Sequence, residues 1–461
     1  MSVKMRIEQD SMGQVKVPSR QLWGAQTQRA YAQFPVSGRT LPAQFIHAIA
    51  LIKAAAASAN EDLKLLPKTA AKAIRTAAMA VAEGSYDAHF PLDIFQTGSG
   101  TSSNMNVNEV IARLASQASK LEVHPNDHVN LGQSSNDVIP TALRIATVLR
   151  CRKELLPAIS HLIKIINQRA RTLQNVVKTG RTHLMDAMPL TFAQEFHAWA
   201  AQLTSSCDRL SDSLTRTCRL PLGGTAVGTG INAHPHFASK ALKHINRLTK
   251  MDFVSAPNLF EGLCAHDDLV EFSGQLNTLA VALIKIANDL RWMNSGPLSG
   301  LGEIVLPALQ PGSSIMPGKV NPVIPEITVM VAAQVIGYNS AITVAGQTGN
   351  FQLNVTLPLI AHNLLDGMYM LTNTMYLLAD KVFASLEVCK DQVKTTLARN
   401  PILATALNPH IGYEKAAAIA KRAYREQRAV FEVALEDSGL SAEQLKKILD
   451  PNALTRGGIQ E

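Results

Sequence analysis

The chain has 461 residues, 46% of them hydrophobic, 17% charged and 5% aromatic, enough apolar material for several cores and too much for a disordered or fibrous chain. The length allows two to four domains, and abundant Ala, Leu, Ile and Lys with few aromatics favours helices over aromatic-rich β sandwiches. Lys and Arg number 44 against 36 Asp and Glu, a net charge of +8. Basic and acidic side chains nearly balance over residues 381–461, so the surplus is diffuse. That excludes a nucleic-acid tail or polybasic anchor and suits plain solubility or the steering of a small anion.

The cysteines at 151, 207, 218, 264 and 389 form no Cys-x-x-Cys pair, which points to reduced thiols in a cytoplasmic compartment. The first 30 residues carry Glu8 and Asp10 and no apolar segment, unlike a secretory or transit peptide. No uncharged apolar run of about 20 residues is evident, and the expectation is a soluble protein without a membrane span.

In chain order, residues 1–136 mix short helical patterns with turn signals. Gln96 to Asn106 is dense in Ser, Thr, Asn and Gly ahead of an apolar run; Asn106 and Glu109 have capping-box spacing, and free N–H groups at such a start hold anions. His124 to Asp137 again precedes a helix, with Pro140 expected in its first turn. His124, Asp127 and His128 have a spacing that suits a metal, yet no second ligand cluster accompanies them, so no metal is expected. Thr179 to Pro189 leads to a capping box of Thr191 and Gln194, which puts His183 in a loop among hydroxyl, Arg and Asp groups just before a long helix.

Proline-free intervals of 31, 39 and 32 residues follow Pro189, Pro257 and Pro325 and permit long helices. In the second, Leu269, Phe272, Leu276, Leu279, Leu283, Ile286 and Leu290 alternate steps of three and four, the spacing of a helix packed along its whole length and a basis for side-by-side association. Gly223 to Gly230 lacks the Gly-Lys-Ser/Thr ending of a nucleotide loop and reads as a tight backbone turn. Gln310 to Pro322 holds too many Gly and Pro residues for helix and carries Ser313, Lys319 and Asn321, a candidate lid over an anionic site. Composition shifts near 137 and 390 divide the chain into 1–136, 137–390 and a more charged 391–461.

Gly98-Ser99-Gly100-Thr101, His124-Pro125-Asn126-Asp127, Gly180-Arg181-Thr182-His183 and Gly312-Ser313-Ser314-Ile315-Met316-Pro317-Gly318-Lys319-Val320-Asn321-Pro322 together resemble the class II fumarate hydratases of the fumarase/aspartase superfamily. The similarity runs from Arg6-Ile7-Glu8 to Leu407-Asn408-Pro409-His410. It implies an all-α, three-domain protomer whose central long-helix bundle forms a homotetramer, with active sites shared between chains. It implies reversible hydration of fumarate to L-malate in the tricarboxylic acid cycle, with no metal or organic cofactor. Ser313 is then the base and His183, paired with Glu326, the acid side. Ser99, Gly100, Thr101, Ser134, Ser135, Asn136, Thr182, Ser314, Lys319 and Asn321 match substrate-binding positions. His124, Pro125, Asn126 and Asp127 match a second anion site, expected to be weak because Leu121 and Glu122 stand where the family often has basic residues.

Two alternatives remain at this stage. Aspartate ammonia-lyase acts on a similar dianion, and the Asn321 to Glu326 stretch resembles aspartases too. His183 favours the hydratase, since aspartases typically carry glutamine there, while Met185, often glutamine in fumarases, departs from the pattern. A non-catalytic scaffold would have no use for a polar lid. Nucleic-acid binding lacks a basic run or aromatic platform.

Overall fold

The computed structural model describes residues 4–459. An antiparallel hairpin, β1 (Met5–Asp10) with β2 (Gly13–Pro18), precedes α1 (Ala25–Gln33), α2 (Ala43–Asp62), α3 (Lys68–Ala82), α4 (Thr101–Ser119), α5 (Ser135–Arg150) and α6 (Leu156–Thr172). A second antiparallel hairpin, β3 (Val177–Thr182) with β4 (Met185–Thr191), feeds α7 (Phe192–Thr217). Then come β5 (Arg219–Leu220), α8 (Phe237–Thr249), β6 (Val254–Ser255), α9 (Leu259–Cys264), α10 (Asp267–Met293), β7 (Ile304–Val305), α11 (Val323–Gly346), α12 (Leu357–Leu377) and β8 (Glu387–Val388). β5 pairs with β6 and β7 with β8. The chain closes with α13 (Lys390–Ala398), α14 (Asn408–Ile411), α15 (Tyr413–Glu426), α16 (Val430–Asp437) and α17 (Ala442–Ile448), followed by a last short turn.

Two compact units emerge: Met1–Pro157, Ser206–Ala280 and Ala332–Thr372 form one, and Ala158–Ser205, Val281–Val331 and Asn373–Glu461 the other. In the first, α2 packs against α3, α5 and α8. Seven of its alanines, from Ala48 to Ala59, are buried, and their small side chains let neighbouring helices approach closely, while Phe45, Ile49 and Ile52 fill the larger gaps. Each of those three is worth about 1.5–3 kcal/mol of transfer energy. Gly98 sits against Val355, and its carbonyl accepts the Leu357 N–H at 3.0 Å. A Cβ there would stand 1.5 Å from the Val355 carbonyl oxygen. Gly98→Ala is therefore expected to destabilise the protein by about 3 kcal/mol, read as a lowered urea midpoint at unchanged slope.

In the second unit Phe196 stacks on Trp199 with centroids 5.0 Å apart, and both meet Phe383 edge-on. A separate core of Leu397, Leu407, Ile419, Val433 and Leu445 holds the C-terminal helices together.

The long helices follow the proline-free intervals. All seven apolar seam residues of α10 are no more than 2% exposed. By length and composition α10 and α11 would each be long and apolar enough to cross a membrane, which corrects the reading that no such run exists; burial of the α10 seam explains its hydropathy as core packing. α11 differs, because only 22% of its most apolar window is buried within the chain.

Two local expectations also need correction. α4 begins at Thr101 behind Gly100 in the left-handed region (φ 71°), with no side-chain cap, so Asn106 and Glu109 lie inside the helix and form no capping box. The Glu109 carboxylate instead accepts the N–H groups of Gly24, Gln26 and Thr27 and the Thr27 hydroxyl, capping α1 from a distant helix. Pro140 lies in the second turn of α5 rather than the first. The Thr191–Gln194 capping box is present, with reciprocal bonds of 2.9 and 3.1 Å.

Candidate active site

Within the first unit, two helix N-termini carry six of the sequence-predicted residues. Ser99 and Thr101 hydroxyls lie 2.9 Å apart at the start of α4. A Cβ on Gly100 would come 2.9 Å from the Ile139 side chain of α5, so glycine permits both the turn and the close approach of the two helices. Ser134 caps α5: its Oγ accepts the Asn136 N–H at 3.2 Å, and Asp137 Oδ1 accepts the Ser134 N–H at 2.9 Å. Asn104 Nδ2 donates to Ser135 Oγ at 3.0 Å and ties the two ends together.

Asp137 is fully buried and its other oxygen accepts the Gly223 and Thr225 N–H groups, at 2.9 and 3.0 Å. Burial pushes its carboxyl up, against the pull of these amides. The turn at Gly223 to Gly230, with left-handed Gly223, Thr225, Gly228 and Gly230, thus packs against the start of α5, and Asn136 Nδ2 donates to Ala226 O at 2.8 Å. Two helix ends with free amides and hydroxyls suit a carboxylate.

His124 to Asp127 form an exposed turn nearby in sequence. His124 Nδ1 accepts the Asp127 N–H at 3.2 Å, and His128 Nδ1 accepts the His124 N–H at 2.8 Å, so both rings serve as local caps. Asp127 Oδ2 stands 3.1 Å from His124 Nδ1, where it would repel an incoming anion. Among the described residues, these side chains form no metal-binding group.

The second unit holds the other group. Thr182 pairs with Met185 across β3 and β4, leaving His183 (φ 55°) and Leu184 (φ 60°) as a two-residue tip. His183 is thus at an exposed hairpin tip, a sharper geometry than the expected loop. Two non-glycine residues in the left-handed region store strain, of the order of 1–3 kcal/mol each, and such strain clusters at functional sites.

An ion cluster grips the base of this hairpin. Lys178 Nζ lies 2.8 Å from both Glu195 Oε2 and Glu303 Oε2, and Arg181 lies 2.8 Å from Glu303 Oε1. Lys178 and Glu303 side chains are each 3% exposed. No sequence signal pointed to Glu303, a lone acid ahead of a short apolar run. Removing one partner of a buried pair leaves an uncompensated charge, so Glu303→Ala is expected to cost about 3–5 kcal/mol, measured by chemical unfolding.

The segment 310–322 is irregular, as its composition demands, but internally bonded. Gly312 N–H donates to Lys319 O at 2.9 Å and Asn321 Nδ2 to Gly312 O at 2.7 Å. Ser313 Oγ accepts two backbone N–H groups, from Ile315 at 3.3 Å and Met316 at 3.1 Å, while Ser314 stays exposed. Lys319 Nζ donates to Asn321 Oδ1 at 2.6 Å. Lys319, Asn321 and Glu326 line a cavity of about 890 Å³, with Arg291, Ser295 and Cys389 on its wall. Ser313 and His183 do not line it, and no hydrogen bond joins His183 to Glu326 among the described residues.

Residues 13–337 match the family described as Lyase and residues 403–456 that described as Fumarase C C-terminus. A fumarate hydratase class II of Xylella fastidiosa (strain Temecula1) is 68% identical over 458 residues, 99% of this chain and 97% of its own. The chain belongs to the class II fumarate hydratase family. A second class II fumarate hydratase, from Pseudomonas aeruginosa, is 55% identical over 98% of this chain and 99% of its own. The crystal structure of a class II fumarase from Schistosoma mansoni, 38% identical, matches with a TM-score of 0.94 over 98% of this chain and 99% of that one. The nearly all-helical fold is thus that of class II fumarases. Family membership also sets aside aspartate ammonia-lyase.

Proposed function

We infer that this chain catalyses the reversible hydration of fumarate to L-malate as a hydro-lyase. The observation that carries the chemistry is Ser313 Oγ, which accepts the Ile315 and Met316 backbone N–H groups at 3.3 and 3.1 Å. A serine hydroxyl is a weak base at its free pKa and needs such donors to stabilise its alkoxide. Ser313 takes the proton from the carbon beside one carboxylate of L-malate. His183 protonates the departing hydroxyl on the neighbouring carbon, directly or through a water, and its pairing with Glu326, absent among the described residues of one chain, is assigned to the shared site of the assembly. The donors we assign to the charge that spreads into the carboxylate are Thr182, Ser314, Lys319 and Asn321 and, separately, the ends of α4 and α5 at Ser99 to Thr101 and Ser134 to Asn136.

The test supplies purified protein with L-malate and, separately, L-aspartate, and follows the ultraviolet absorbance of fumarate. Signal from L-malate alone supports the reading; signal from L-aspartate alone, or from neither, contradicts it.

The apolar, mostly uncovered α11 supports association through the long helices, and we propose that the assembly is a homotetramer with active sites shared between chains. Mixing inactive Ser313→Ala and His183→Asn proteins and reassembling them then restores part of the activity; sites confined to one chain would stay silent. The five free cysteines agree with a cytoplasmic protein, and the tricarboxylic acid cycle is the place we propose for the reaction. The segments 1–136, 137–390 and 391–461 remain our proposed domains, and His124 to Asp127 at most a weak second anion site.

A further inference from the structure

Beneath the start of α5 lies a charged group that the reaction does not use. Lys53 of α2 is 0% exposed. Its Nζ donates to Asn130 Oδ1 at 2.8 Å and Gln133 Oε1 at 3.0 Å, and among the described residues no carboxylate stands within ion-pair distance. Asn130 Oδ1 also accepts from Asn104 Nδ2 at 3.3 Å and Asn108 Nδ2 at 3.2 Å, both on α4. Asn130 Nδ2 donates to Gln133 O at 3.1 Å, closing the turn that runs straight into Ser134. One ammonium therefore braces the turn before α5 and, through Asn104, the first turn of α4.

We propose that Lys53 is a positioning residue for the carboxylate-binding corner formed by the N-termini of α4 and α5, and that its buried positive charge is stabilised when a dicarboxylate binds there. The proposal rests on the functional reading above for the identity of the ligand. A buried ammonium hydrogen-bonded only to neutral amides, with a single carboxylate acting on it from beyond ion-pair distance, is incompletely compensated, and a dianion settling over two helix ends supplies further negative charge.

The charged groups around Lys53 are few. Asp137, on α5, is the one that acts on it electrostatically; α4 and the turn offer the amides of Asn104, Asn108, Asn130 and Gln133. Where α3 and α8 carry charge against α2, Arg75 meets Glu61 and His244 meets Asp62 at the far end of the helix. Burial lowers the Lys53 pKa to about 7. An anion that favours the ammonium raises this value, so between the free and bound values binding takes up a proton and weakens as pH rises.

Lys53→Met tests this directly. The KM for L-malate and the inhibition constant for the unreactive dicarboxylate succinate should rise together by about tenfold or more, with kcat within about threefold, the signature of lost uniform binding. The part of the wild-type loss of succinate affinity above pH 7 that is due to Lys53 should vanish. Wild-type KM, inhibition constant and pH profile in the variant would overturn the proposal, as would a fall in kcat alone.

Should Lys53→Met fail to fold, calorimetry of succinate binding to His183→Asn at pH 8, in two buffers of different ionisation enthalpy, decides it. Net proton uptake is expected, and its absence contradicts the coupling. Succinate binding is read without turnover, so a protein inactive on L-malate would fail the functional reading and leave this result separate.

Discussion

Ser313→Ala lowers kcat for L-malate by roughly 10³ to 10⁴, about 4–5.5 kcal/mol of transition-state stabilisation, while KM stays within a few-fold of wild type. The reasoning is geometric. Oγ is the atom on which the Ile315 and Met316 N–H groups converge, and alanine leaves those donors facing solvent with no base between them. The loop itself persists, because its closure runs through Gly312 N–H to Lys319 O and Asn321 Nδ2 to Gly312 O. An unchanged thermal midpoint beside the kinetic loss would separate chemistry from folding. Turnover within tenfold of wild type would remove Ser313 from its role.

His183→Asn is the second large effect, a fall in kcat of roughly 10² to 10⁴ as the proton donor to the leaving hydroxyl is lost. Asparagine is chosen for the backbone: His183 stands at φ 55°, and asparagine tolerates that region better than most residues, so the hairpin tip keeps its shape. Circular dichroism and unfolding midpoint should match wild type. If kcat survives, hydroxide departs without help from this side chain.

What the sequence made legible was mostly periodic or local. The α10 seam followed from heptad spacing, and the Thr191–Gln194 cap from a three-residue signature; both depend on neighbours along one element. The irregular, polar 310–322 segment was equally plain, since Gly and Pro forbid helix there. The Asn106–Glu109 spacing misled because Glu109 satisfies donors more than 80 residues away, a tertiary use that defeats a local rule.

The hairpin tip at His183 carries no turn signal in the sequence, because its two turn residues are His and Leu rather than the Asn-Gly that usually marks such a turn. Lys53 and Glu303 gave no signal at all. A lysine inside an alanine-rich helix and a lone glutamate before a short strand acquire meaning only from the amides and cations that distant segments bring to them. Fold and reaction class were therefore readable from motifs, whereas the groups that brace the site were not.

The most direct test follows hydrogen exchange at carbon 3 of L-malate in deuterated water by proton magnetic resonance, for wild type, Ser313→Ala and His183→Asn. If Ser313 takes the carbon-bound proton and His183 serves the leaving hydroxyl, wild type exchanges and forms fumarate, and Ser313→Ala does neither. His183→Asn then exchanges faster than it forms fumarate. Exchange at the wild-type rate in Ser313→Ala would contradict the assignment of the base.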